Sequence, residues 1–399
     1  MTGYVRSAAI VAVVLIAMPG AAVAAGPGSP ARPASSGAVY EYIKGIAAAP
    51  VGRAWAVGAV WPTTAASNSV TERWNGTSWR LIAGPSLGPS VSSSSLAEVA
   101  VVSRHSAWAA GSVTFGGLTT ETLLERWNGR SWRRVRSPSP GGETGASSLS
   151  GVTALSPGQA WAVGYYTFVS PPPTFQESDR TLVEHWNGSS WHVVHSPSPG
   201  GQFGSYLLAV GALSRSSAWA VGYYWSSASH QRAMILRWDG ANWRRVPSPH
   251  PGTAGSNSVL YGVVATSPRN AWAVGAYSTA RGTLTLIERW NGKSWRKVRS
   301  PDPTPGSFLY AVAATSTSNA WAVGTYANRT LTVRWNGIAW RQVRSPNPSG
   351  PARQSFLSAV AVSSPSNAWA GGFYDVAGAE RTLIMHWNGK GWRHTPSPN

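Results

Sequence analysis

Acids, histidines and hydroxyls must carry any chemistry in this 399-residue chain, because it contains no cysteine. Disulfides, Cys-ligated zinc, iron–sulfur clusters and thiol nucleophiles are thereby excluded. Of the 14 acids, Glu72, Glu125, Glu184 and Glu288 stand two residues before a tryptophan in recurring segments. That periodicity marks them as structural, with a nearby arginine as the expected partner. Glu98, Glu143, Glu177, Asp179, Asp302, Asp375 and Glu380 follow no period, and a catalytic reading would have to use them. Hydrolysis by paired carboxylates needs two such groups about 5–9.5 Å apart, which spacing along a chain cannot supply. No catalytic residue is assigned. His185, His192 and His195 lie close together, but the first two occupy positions where parallel segments carry Arg126 and Arg133. One solvated cation replacing another is the simpler account, so no metal site and no cofactor are expected. The H-E-x-x-H and P-loop patterns are absent.

What must position any site is a repeat. The string AWAVG, or a close variant, occurs seven times, with tryptophans at 55, 108, 161, 219, 272, 321 and 369. Each copy is followed by W-[ND]-G-x-x-W: Trp74/Trp79, Trp127/Trp132, Trp186/Trp191, Trp238/Trp243, Trp290/Trp295, Trp335/Trp340 and Trp387/Trp392. Of the 23 tryptophans, only Trp61 and Trp225 fall outside this pattern.

Each unit holds four short apolar runs. Run A reads like Leu96–Val101, run B is AWAVG, run C resembles T-L-x-E-R-W and run D is W-R-x-V. Asn-Gly between C and D predicts a hairpin whose two turn residues both have φ > 0. Run D ends in S-P-x-P; proline cannot donate to a ladder, so D suits an outer edge. Four strands per unit of roughly 50 residues predict a propeller blade. The fold expected for residues 39–399 is therefore all-β: a seven-bladed β-propeller with four antiparallel strands per blade. The repeated tryptophans then pack between blades. If run A is innermost, blades 1 and 7 share no strand and meet through side chains alone. If run B is innermost, residues 43–48 pair with Trp392–Thr395 instead.

On these residues the unit resembles a divergent kelch repeat, the propeller type of the galactose oxidase central domain. Kelch units end a strand pair in Gly-Gly followed by an aromatic; here Gly371-Gly372 matches, and Tyr166, Tyr224, Tyr277, Tyr326 and Tyr374 supply the aromatic. The chain is also similar to secreted actinobacterial proteins built from AWAVG and WNG units. The resemblance implies the fold and carries no ligand. The copper–radical site of galactose oxidase needs a cysteine, which is absent here.

Residues 1–25 read as a secretory signal peptide, with Arg6, an apolar stretch Ala8–Met18 and the small-residue pattern Ala22-Val23-Ala24. Residues 26–38 read as a flexible Pro/Gly/Ser linker. A secreted monomer without a transmembrane segment is expected.

Two surfaces are candidates for binding. The spacing from the run B to the run C tryptophan varies between 14 and 25 residues, so diversity is concentrated in the B–C loops. Loops of this kind usually carry function. Trp61, Trp225, Phe168, Phe175 and Asp375 fall in or beside them, and exposed aromatics suit sugar rings. The second surface follows from charge: 33 Lys and Arg against 14 acids give +19. Arg126, Arg133, Arg134, Arg289, Lys293, Arg296 and Lys297 lie on runs C and D, predicting a basic outer rim. Glu98 interrupts a column of small residues on run A (Gly45, Gly151, Ala209, Gly262, Ala311 and Ala359), which makes it the candidate group for a central channel. The functional expectation is a non-catalytic binding or scaffold module for polysaccharide or an anionic cell-wall polymer. The alternative is a carbohydrate-active hydrolase or lyase using the non-periodic acids on the variable face. Nucleic acid is not an expected partner, since charge alone would argue for it.

Overall fold

The outer hairpin of each blade shows how the repeat folds. In the computed structural model, Trp74 and Trp79 are directly opposed in the C–D ladder, and so are their counterparts in the other six units. The four residues between them make a tight loop. Asn128 Oδ1 accepts the backbone N–H groups of Arg130 and Ser131, both at 2.9 Å. Only the glycine of each Asn-Gly pair has positive φ, between 91° and 111°. The expectation that asparagine would share the left-handed conformation is therefore corrected. In a four-residue loop the asparagine side chain ties the turn, and one left-handed residue suffices.

The structure describes residues 39–399 apart from 50–52, 63–66, 117–118, 143–144, 254, 351 and 399. The signal-peptide and linker segments and Glu143 lie outside the described residues. Seven four-stranded antiparallel sheets follow one another, each in chain order A-B-C-D. Blade 1 comprises β1 (Val39–Ala49), β2 (Arg53–Pro62), β3 (Asn68–Trp74) and β4 (Trp79–Leu81). Gly201–Phe203 forms a single 3-10 turn, and the described residues include no α-helix. The seven-bladed propeller expected from the repeat is the observed fold.

The A strands touch one another all the way round, so run A is innermost. In every A strand the ladder slips at a bulge directly after the buried Ile or Leu, as between Ile43 and Gly45 and between Leu96 and Glu98. That bulge explains the glycine of AWAVG. A Cβ on Gly111 or Gly275 would lie 1.9 Å from a carbonyl oxygen of the bulged strand, so any other residue would force the pair apart.

Between blades, the B tryptophan of one blade meets the C and D tryptophans of the next. Centroid distances are 4.8–5.0 Å to the C ring and 5.0–5.3 Å to the D ring, the latter edge-on. Edge-to-face pairs contribute about 0.5–1.5 kcal/mol each beyond their buried area. The seventh triad, Trp369 with Trp74 and Trp79, closes the ring. Ile43 and Ile46 pack there against Ala359 and Ile384. β1 pairs with β2 alone, so side chains join the termini and no strand is shared.

Candidate functional site

The residue before each C-strand tryptophan lies over the triad. Arg73, Arg126, Arg237, Arg289 and Arg334 hold their guanidinium groups 5.0–5.6 Å from two rings, the B tryptophan of their own blade and the C tryptophan of the next. His185 and His386 stack at 4.3 Å on Trp161 and Trp369 in the remaining blades. Arg126 and Arg334 also donate to the carbonyls of Pro157 and Pro365 in the following blade. Of the basic residues singled out in the sequence, Arg126 and Arg289 thus belong to this stack. Arg133, Arg134, Lys293, Arg296 and Lys297 are exposed. Arg134 forms a salt bridge with Glu121 at 3.1 Å, and Lys297 donates to the Tyr277 hydroxyl at 2.7 Å.

The periodic glutamates are buried at the seams between blades, and their partner is a serine where an arginine was expected. The S-P-x-P tail of the preceding blade delivers it: Ser137 to Glu184 at 2.7 Å, Ser248 to Glu288 at 2.9 Å and Ser397 to Glu72 at 2.8 Å. Burial pushes these carboxyls up, to about 7 for Glu72 and about 8 for Glu184 and Glu288. Glu125 is the exception. Gly84 stands where the other tails have serine, and both Glu125 carboxylate oxygens lack a hydrogen-bond partner. Burial raises it to about 7 despite the opposing field of Arg134.

On the variable-loop face, the long B–C loop of blade 3 exposes Phe175 (63%), and the 3-10 turn entering blade 4 exposes Phe203 (40%). The Gln176 side-chain amide donates to Gln202 at 3.0 Å, tying the two segments side by side. Trp225 adjoins them: its backbone N–H donates to the Gly204 carbonyl at 3.0 Å, and its half-buried ring lies edge-on to Tyr223. Phe175, Phe203 and Trp225 therefore gather in blades 3 and 4. Of the other residues singled out, Phe168 flanks the same blade 3 loop, while Trp61 and Asp375 belong to other blades. Phe168 is covered by Arg180, 3.3 Å from its ring centroid. Trp61 packs on Tyr42 in blade 1. Asp375, in blade 7, caps the Gly378 N–H at 2.9 Å and pairs with Arg353 at 3.6 Å.

Asp179 and Asp302 are engaged locally. Asp179 accepts from Tyr206 at 2.6 Å and Thr167 at 2.9 Å, and Asp302 accepts from Thr285. Asp375 and Glu380 oppose each other in the blade 7 ladder, where burial, then Asp375, raises the Glu380 carboxyl. Glu98 sits on the innermost strand with no ion pair. Its Oε1 accepts the Val99 N–H at 2.9 Å, and burial pushes it up to about 8. Its carboxylate fills the space above Gly45, where a Cβ would lie 2.8 Å from Oε1. The small residue at 45 thus accommodates the large one at 98.

No family model and no curated protein matches the chain. Solved structures do resemble it. YCF48 from Cyanidioschyzon merolae superposes with a TM-score of 0.50 at 14% identity, covering 86% of this chain and 96% of that one. U3-55K superposes at 0.53 and 12% identity, covering 88% and 98%. The likeness is one of fold.

Phe203 was not legible as a site residue. It sits in a D–A connection without repeat character, and only the fold brings it beside the B–C loop of the same face.

Proposed function

We propose that this chain is a secreted, non-catalytic binding propeller of divergent kelch-like type that holds polysaccharide on its variable-loop face. The observation that supports the reading is that the segments bearing exposed Phe175 and Phe203 are joined by the Gln176–Gln202 amide pair, with Trp225 bonded to Gly204 beside them. Sugar rings present apolar C–H faces edged by hydroxyls. Aromatic side chains with a few fixed polar groups match that combination, and charge contributes little to it. Among the described residues no helix is long and apolar enough to cross a membrane.

A panel of neutral glycans tests the reading by direct binding at low and high salt. Binding that survives high salt, and is lost in Phe175→Ala and Trp225→Ala variants with unchanged melting, supports it. Absence of any neutral-glycan binding, or binding indifferent to both substitutions, overturns it. Release of reducing ends from a bound glycan would make the protein a hydrolase instead.

A further inference from the structure

The outer rim carries a second surface, separate from the variable-loop face and not dependent on the sugar reading. In blades 1, 2, 4, 5 and 6 an arginine on the C strand directly opposes an arginine on the D strand, as Arg73 opposes Arg80 and Arg334 opposes Arg341. Like charges opposed in a ladder destabilise a sheet. The C-strand member is engaged on the tryptophan rings, which leaves the D-strand member facing solvent. In blade 7, Arg393 opposes His386 in the same way.

In blades 1, 2, 5, 6 and 7 these D-strand arginines, Arg80, Arg133, Arg296, Arg341 and Arg393, are exposed. Among the described residues, no acid lies within ion-pair distance of any of them. The other two blades interrupt the series. Blade 3 has His185 opposite His192. In blade 4, Arg244 is paired at 2.8 Å with Asp239, an acid at the turn position where the other six units have asparagine. Because blade 7 packs on blade 1, the five blades in which this D-strand arginine has no acid partner are consecutive around the ring: 5, 6, 7, 1 and 2.

We propose that this arc is a track for a linear acidic polysaccharide bearing carboxylate or sulfate groups. A small anion would meet one cation at a time, whereas a polymer can follow the arc from blade to blade. The closed ring fixes the spacing of the cations before binding, so little ordering cost opposes association. Single-stranded nucleic acid is the other polyanion with a flexible backbone, but its readers supply aromatic stacking platforms. The exposed large apolar residues on the described outer hairpins are Leu81, Val193 and Ile338, none of them aromatic.

The test uses the full chain with polygalacturonate, dextran sulfate and single-stranded DNA. Both polysaccharides should bind at about 50 mM salt and weaken at least about tenfold at about 500 mM, as exposed charges are screened. A variant with Arg80, Arg133, Arg296, Arg341 and Arg393 all changed to Gln should lose about tenfold or more in affinity, while Phe175→Ala should leave this binding intact. Failure of that second arm alone would point to the variable-loop face. The proposal is overturned if the fivefold variant binds as tightly as the unaltered protein, or if DNA binds more tightly than either polysaccharide. Should the variant not fold, the salt response of the unaltered protein decides: insensitivity to salt overturns the proposal.

Discussion

Two arginines seven residues apart in one hairpin do different work. Arg334 lies over Trp321 and Trp387 at 5.3 and 5.5 Å and donates to Pro365, whereas Arg341, directly opposite, is exposed. Arg334→Gln should therefore cost about 1–2 kcal/mol, the range for a desolvated cation–π contact. Arg341→Gln should stay within about 0.5 kcal/mol, as for other surface changes. Thermal melts of the two variants check the assignment; equal losses would show that the ring contact contributes nothing. A parallel contrast holds for tryptophan. Trp290, buried against Trp219 and Trp295, should cost about 3–5 kcal/mol when changed to alanine. Trp225, half-buried at the loop face, should cost under about 1 kcal/mol. A large loss at Trp225 would mark it as core and remove it from the binding patch.

At the scale of the element, the seams between blades differ in one hydroxyl. Leu236, Val333 and Met385 occupy the glutamate position in blades 4, 6 and 7, so the seam tolerates an apolar side chain there. Where glutamate is used, the preceding tail supplies a serine, except at Gly84. A Cβ on Gly84 would stand 3.9 Å from a Glu125 oxygen, in ordinary contact, and its φ is not left-handed. Gly84→Ser should place a hydroxyl within hydrogen-bond reach and stabilise the protein by about 1 kcal/mol. Glycine at this position should be the worse residue, and Ser248→Gly should destabilise by a similar amount. Melting curves of both variants read the outcome; an unchanged or lowered melting temperature for Gly84→Ser would mean that the Glu125 carboxyl is satisfied some other way.

At the scale of the molecule, the seam glutamates set an unusual response to pH. Folded, Glu72 and Glu125 titrate near 7 and Glu184 and Glu288 near 8, against an ordinary value of 4.5. Between the two values the unfolded chain releases protons that the folded chain keeps, so raising the pH favours unfolding. Burial lowers His185, His250, His386 and His394, which opposes this trend below about their ordinary 6.5. Between pH 6.5 and about 8 the carboxyls act alone, and the melting temperature should fall as pH rises. Scanning calorimetry across that interval tests it. Glu98, raised to about 8 on the innermost strand, acts in the same window. Replacing these five glutamates by glutamine should flatten the slope; a slope that persists would place the effect elsewhere.

The blade and the number of blades are legible in the sequence. Strand runs, the Asn-Gly turn and the AWAVG glycine are local features that repeat seven times, and a repeated local cause yields a repeated local structure. The sequence also placed basic residues on runs C and D, without separating Arg126 and Arg289, which lie over tryptophan rings, from the exposed ones, and it marked Glu98 as a departure from its column. It misjudged the partner of the periodic glutamates and the conformation of the turn asparagine. The first depends on a serine about 40 residues or more away in the neighbouring blade, for Ser397 and Glu72 on one 325 residues away. The second depends on the four-residue loop geometry. That Phe175, Phe203 and Trp225 come from adjoining segments, while Trp61 lies in another blade, emerges only from the fold. Ring closure likewise made blades 5 to 2 a single uninterrupted arc of charge, because the first and last blades adjoin only through side-chain packing across the seam.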